Sequence, residues 1–87
     1  MGRPLRAPQM AWLTIDGELV LLNIEGRELL GLNAVGARIW ELADGEHDVA
    51  AIAAALAEEF EVGAEEAAGE VARFVAELEA AGALVVK

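Results

Sequence analysis

Asp16-Gly17 stands between two apolar runs, MAWLTI and ELVLLNI, and constrains the chain more than any other feature. A two-residue Asp-Gly between such runs is a strong hairpin signal. Glu25-Gly26-Arg27 turns the chain again before ELLGL, so the first third reads as a three-stranded antiparallel meander. Alternation is expected to group Leu13 and Ile15 with Val20, Leu22, Ile24, Leu30 and Leu32, and to point Trp12 and Leu29 the other way.

After Asn33 the apolar period becomes helical. Asn33 is a good N-cap, with Val35, Ile39 and Leu42 on one stripe and Trp40 beside it, and Asp44-Gly45 ends this helix. Asp48 caps a second helix carrying Val49, Ile52, Leu56 and Phe60. A third runs from about Ala64 to Ala81, with Glu65 and Glu66 in its first turn and Gly82 as its C-terminal cap. Ala83-Leu84-Val85-Val86 reads as a short last strand, and residues 1–9 as a flexible arm before a single domain over 10–87. The fold class is therefore α+β: a three-stranded antiparallel meander followed by three helices and a short C-terminal strand.

What the chain lacks narrows its chemistry. Its 87 residues contain no Ser, Cys or Tyr, one Thr (Thr14), one His (His47) and one Lys (Lys87). Nucleophilic catalysis has almost nothing to work with, and one His makes no zinc site, so neither an enzyme nor a cofactor is expected. Without cysteine no disulfide forms, which suits a reducing, cytoplasmic setting. No segment reads as a signal peptide or a membrane span. His47, among Asp44, Glu46 and Asp48, reads as a solvated loop residue, and that cluster has too few alternating oxygens for a calcium loop. Of the net charge of −10, residues 44–87 carry −9, from eleven acids against Arg73 and Lys87. Such a half repels phosphate backbones and anionic membranes, so neither is an expected partner.

Two features ask for a partner. The third strand, Glu28 to Leu32, has no Lys or Pro to guard an open edge. Either another element covers it, or it docks an extended peptide by strand addition. Helix three has an apolar arc wider than a core stripe: Val71, Phe74, Leu78 and Ala81 form the stripe, and Ala68, Ala72, Val75 and Ala76 widen it. The breadth is either a second contact surface or plain alanine-rich composition; Gly69 within it suggests a close packing neighbour.

The string Gly26-Arg27-Glu28-Leu29-Leu30-Gly31-Leu32-Asn33, followed by Gly36, Ile39-Trp40-Glu41-Leu42, Asp44-Gly45, Asp48-Val49 with Ile52, and the ending Phe74-Val75, Leu78 and Gly82-Ala83-Leu84, resembles the PqqD-like proteins. The resemblance spans about Met10 to Val86; it departs at Leu30, where the family commonly carries Tyr. It implies a winged-helix-like domain that recognises peptides in ribosomal natural-product biosynthesis. Such a domain binds the leader of a precursor peptide as an extra strand, in a groove between the third strand and the third helix. It presents that leader to a modifying enzyme, typically a radical SAM protein, which the acidic helical face is suited to engage. Carried over, the docking edge is Arg27, Glu28, Leu29, Leu30, Gly31 and Leu32, and the groove wall is Ala68, Val71, Ala72 and Val75. The family serves pyrroloquinoline quinone, mycofactocin and lasso-peptide pathways, among which the sequence does not choose. The competing readings are a module that forms a homodimer through the same edge and, less favoured by the charge, a winged-helix nucleic-acid binder.

Overall fold

The chain runs β1 (Pro4–Arg6), β2 (Met10–Ile15), β3 (Glu18–Asn23), β4 (Glu28–Leu32), α1 (Ala34–Leu42), α2 (Val49–Glu59), α3 (Ala64–Ala80) and β5 (Leu84–Val86). This is read from a computed structural model that describes residues 2–23 and 28–87. Asp16 and Gly17 both take positive φ, 50° and 81°, the angles of a type I′ turn. That turn pairs Ile15 with Glu18 and sets the β2–β3 register. The meander follows as an antiparallel sheet in the order β2-β3-β4. The second expected turn, with Ile24 and Arg27 beside it, lies outside the described residues.

α1 and α2 are started by side chains the sequence offers, and α3 is stopped by a glycine. The Asn33 side chain accepts the Gly36 N–H at 2.8 Å, and the Asp48 side chain accepts the Ala51 N–H at 2.8 Å. Gly82 adopts φ +80° after α3. There the Ala83 N–H donates to the Leu78 carbonyl and the Gly82 N–H to the Glu79 carbonyl, the paired bonds of a Schellman cap. Gly69 has no neighbour within 4 Å of an added Cβ, so the packing reason expected for it is absent.

Two expectations are corrected. First, the register aligns Trp12, Leu21 and Leu30 across the sheet, and Thr14, Leu19 and Leu32 beside them. Leu19, Leu21 and Leu32 join Met10, Ile39, Trp40, Ile52, Leu56, Val71 and Leu78 in the core. Leu13 and Ile15 are thus on the open face, where both are exposed, together with Leu22 and Leu29. ELVLLN is apolar at consecutive positions and carries no alternation of its own, so the helices decide which side is buried. Trp40, expected beside the stripe, is fully buried at the centre and meets Trp12 edge to face at 5.4 Å.

Second, residues 4–6 of the expected flexible arm are a strand. Pro4, Leu5 and Arg6 pair antiparallel with Val86, Val85 and Leu84. The Arg6 guanidinium donates to the carbonyls of Trp40 and Glu41 at 2.9 and 3.0 Å, satisfying the end of α1, which has no basic residue in its own last turn. It also lies 5.3 Å from the Trp12 ring centroid, so Trp12 packs against Arg6 and Trp40 while staying 47% exposed. A three-residue strand whose partner lies at the other end of the chain leaves no local signature.

Candidate functional site

The type I′ turn settles which backbone groups of β4 are free. In a two-residue hairpin the flanking pair, here Ile15 and Glu18, is hydrogen-bonded, and bonded and non-bonded pairs then alternate. Val20 and Leu22 therefore bond to β2, while Leu19 and Leu21 turn their N–H and C=O toward Leu32 and Leu30 of β4. Leu29 and Gly31 consequently direct their N–H and C=O away from the sheet. No strand of the described residues pairs with that side of β4.

This edge borders a groove of about 240 Å³. One wall is Leu30, Gly31 and Leu32 of β4 with Asn33, Val35, Gly36 and Ile39 around the start of α1; the other is Glu70, Arg73, Phe74, Glu77 and Leu78 of α3. Leu30 is 43% exposed although it lies on the helix-facing side of the sheet, because it faces the open groove. Leu29 points to the open face and is 72% exposed. Arg73 and Glu70 form an ion pair at 2.6 Å on the exposed rim.

The structure brings together part of the residues named from the sequence. Leu30, Gly31 and Leu32 line the groove, and Leu29 supplies free backbone at its edge. Arg27 lies outside the described residues, and Glu28 is placed only as the pairing partner of Asn23. The α3 wall is rotated from expectation. Val71 and Val75 are buried in the core, Ala68 and Ala72 are exposed, and none of the four lines the groove. The core takes Ala67, Val71, Val75 and Leu78, so the face presented to β4 is one step around the helix: Glu70, Arg73, Phe74 and Glu77. Three of those four are charged, and an apolar arc carries no signal for them.

Gly36 shapes the groove floor. A Cβ there would stand 2.9 Å from the Phe74 ring. The glycine lets that ring lie over the start of α1, within hydrogen-bonded backbone that alanine could also adopt. In Gly36→Ala the ring must shift into the groove. Overpacking of about 1–3 kcal/mol is offset by the ~1 kcal/mol helix preference of alanine over glycine. The expected result is a melting temperature within a few degrees of wild type and an affinity for a docked peptide reduced about tenfold, checked by calorimetry on both counts.

Away from the groove, the Asp44 carboxylate accepts the Glu46 backbone N–H and meets His47 Nδ1, each at 2.9 Å. Those bonds, the backbone one foremost, hold it below the usual carboxylate range. They shape the turn between α1 and α2, far from β4. Among the described residues no group of His, Asp and Glu is placed to hold a metal ion, and no helix is long and apolar enough to cross a membrane.

Solved structures share this fold. TbiB1 in complex with the TbiA(beta) leader peptide is 28% identical, with a TM-score of 0.83 over 92% of this chain and 93% of that one. Lasso peptide synthetase B1 complexed with the leader peptide is 26% identical, with a TM-score of 0.86 over 95% of this chain and 98% of that one. No curated protein matches the chain. The family described as Coenzyme PQQ synthesis protein D (PqqD) matches residues 18–84, from the start of β3 to the first residue of β5, and the chain belongs to that family.

Proposed function

We propose that this protein captures the leader segment of a ribosomally made precursor peptide as a fourth strand on β4 and presents it to a modifying enzyme, of the radical SAM type in the pathway it serves. The observation that carries this reading is the free backbone of Leu29 and Gly31 beside the β4–α3 groove. It is supported by the two similar solved structures, each of which is a complex with a leader peptide. Four main-chain hydrogen bonds supply register, each worth about 0.5–1.5 kcal/mol net, and the groove adds burial of alternate side chains. The work is done by backbone and shape, which accords with a chain that carries one His, one Thr and no Ser, Cys or Tyr. The protein acts without a cofactor, as a binding partner in the cytoplasm.

The test is a titration of the labelled protein with the precursor leader encoded beside its gene, followed by amide chemical shifts. Shifts are expected at Leu29–Asn33 and along Glu70–Leu78. Changes confined to the C-terminal half of α1 and the 44–48 turn would rule out this site. Size-exclusion chromatography run in parallel separates peptide capture from self-pairing of β4 edges, which would give a dimer that the leader dissolves.

A further inference from the structure

Beyond the C-terminal end of β4 the groove has a neighbouring cavity. Asn33, Val35 and Glu70 line it and also line a second cavity of about 170 Å³. Leu56 and Phe60 from the end of α2, and Val62 and Ala67 on the way into α3, make that cavity apolar, and Glu66 stands at its rim. At roughly 30 Å³ per water-sized group, it holds one aliphatic side chain and little more. The two spaces lie side by side along α3, which lines both.

The charge along that wall is one-sided. Glu77, Glu70 and Glu66 follow one another along α3 from the groove to the second cavity, and Arg73, the only cation lining either space among the described residues, is already paired with Glu70. Helix stability does not account for all three. An acid in the first turn, such as Glu66, suits the helix dipole, but Glu77 sits in the last turn, where a negative charge is unfavourable by about 0.3–1 kcal/mol. The helical rise of 1.5 Å per residue puts Glu66 and Glu77 roughly 16 Å apart, the length of about five extended residues.

Resting on the docking mode described above, we infer that the groove and the cavity beside it select a basic, apolar leader: a segment with one aliphatic anchor for the second cavity and Lys or Arg side chains set against Glu66 and Glu77, the two acids of that wall that no cation pairs with among the described residues. The anchor lies past the part of the peptide that pairs with β4, on the side of the β4 C-terminus. The basic residues are those whose side chains pass the α3 wall.

The test needs no known precursor. A displayed library of random 12-residue peptides is selected on the wild-type protein, on Glu66→Gln/Glu77→Gln, on Leu29→Pro, and on Glu46→Gln/Glu58→Gln. The last has the same loss of charge at exposed positions outside both cavities. The expected winners on wild type combine apolar residues with an excess of Lys and Arg. Synthesised winners are expected to lose about fivefold in affinity on Glu66→Gln/Glu77→Gln and less than twofold on Glu46→Gln/Glu58→Gln, with the difference shrinking at high salt. Winners that are apolar without a basic excess, or whose basic preference survives Glu66→Gln/Glu77→Gln, overturn the charge selection and leave docking on β4 intact. Winners that bind Leu29→Pro equally well overturn docking on β4 itself. A wild-type selection that enriches nothing overturns both.

Discussion

Leu29→Pro abolishes leader capture and leaves the fold standing, whereas Leu30→Pro, one residue along the same strand, unfolds it. The register places the Leu29 N–H on the outer side of β4, where no internal bond is lost and proline is tolerated at an edge. The folded protein is expected to lose about 1 kcal/mol, roughly 5 °C in melting temperature. A docked strand, however, loses one hydrogen bond and meets the proline ring in its path, which leaves its own carbonyl unsatisfied. Together these amount to roughly 3 kcal/mol, or at least about 100-fold in affinity. The Leu30 N–H points inward to the carbonyl of Leu21, which is fully buried. Proline there orphans a buried acceptor in the middle of the sheet at a cost of about 3 kcal/mol or more. Circular dichroism and a leader titration on the two variants give opposite patterns. Equal binding by Leu29→Pro and wild type would remove strand addition from the mechanism.

The largest stability effect is expected at Trp40. Its side chain is fully buried, packs edge to face on Trp12, and lies in the core that joins the sheet to α1, α2 and α3. Removing a buried Trp costs about 3–5 kcal/mol, against a total of about 4–13 kcal/mol for a domain of this size. Trp40→Ala is therefore expected to leave a substantial unfolded fraction at 37 °C, read as a large fall in the urea midpoint. Trp40→Phe should cost much less, because the buried indole Nε1 has no hydrogen-bond partner among the described residues and its loss orphans nothing there. A Trp40→Ala cost below about 1.5 kcal/mol would place the centre of the core elsewhere.

Much of the scaffold was legible because its signals are local. Asp16-Gly17, Asn33, Asp48 and Gly82 each impose a backbone geometry through their own side chain or its absence, and each does so here. The unguarded edge was legible too, since the want of Lys or Pro in Glu28–Leu32 needs no knowledge of what lies beside it. The α3 wall was not. Alanine is uninformative about burial, so the rotation of α3 about its axis could not be read from a helix whose small residues surround it on several sides.

What the sequence determined by itself, then, is the order of elements, their caps, and a strand whose backbone is free to pair. Tertiary structure decided which face of that sheet is buried, since consecutive apolar residues in β3 satisfy either choice until the helices cover one. It decided that Pro4–Arg6 is a strand, through contacts with residues at the other end of the chain. It also decided that Glu70 and Glu77 line the groove beside β4 and that Glu66 and Glu70 line the cavity next to it. Local geometry is written in neighbouring residues, whereas burial and juxtaposition depend on distant segments and exist only once the chain has packed.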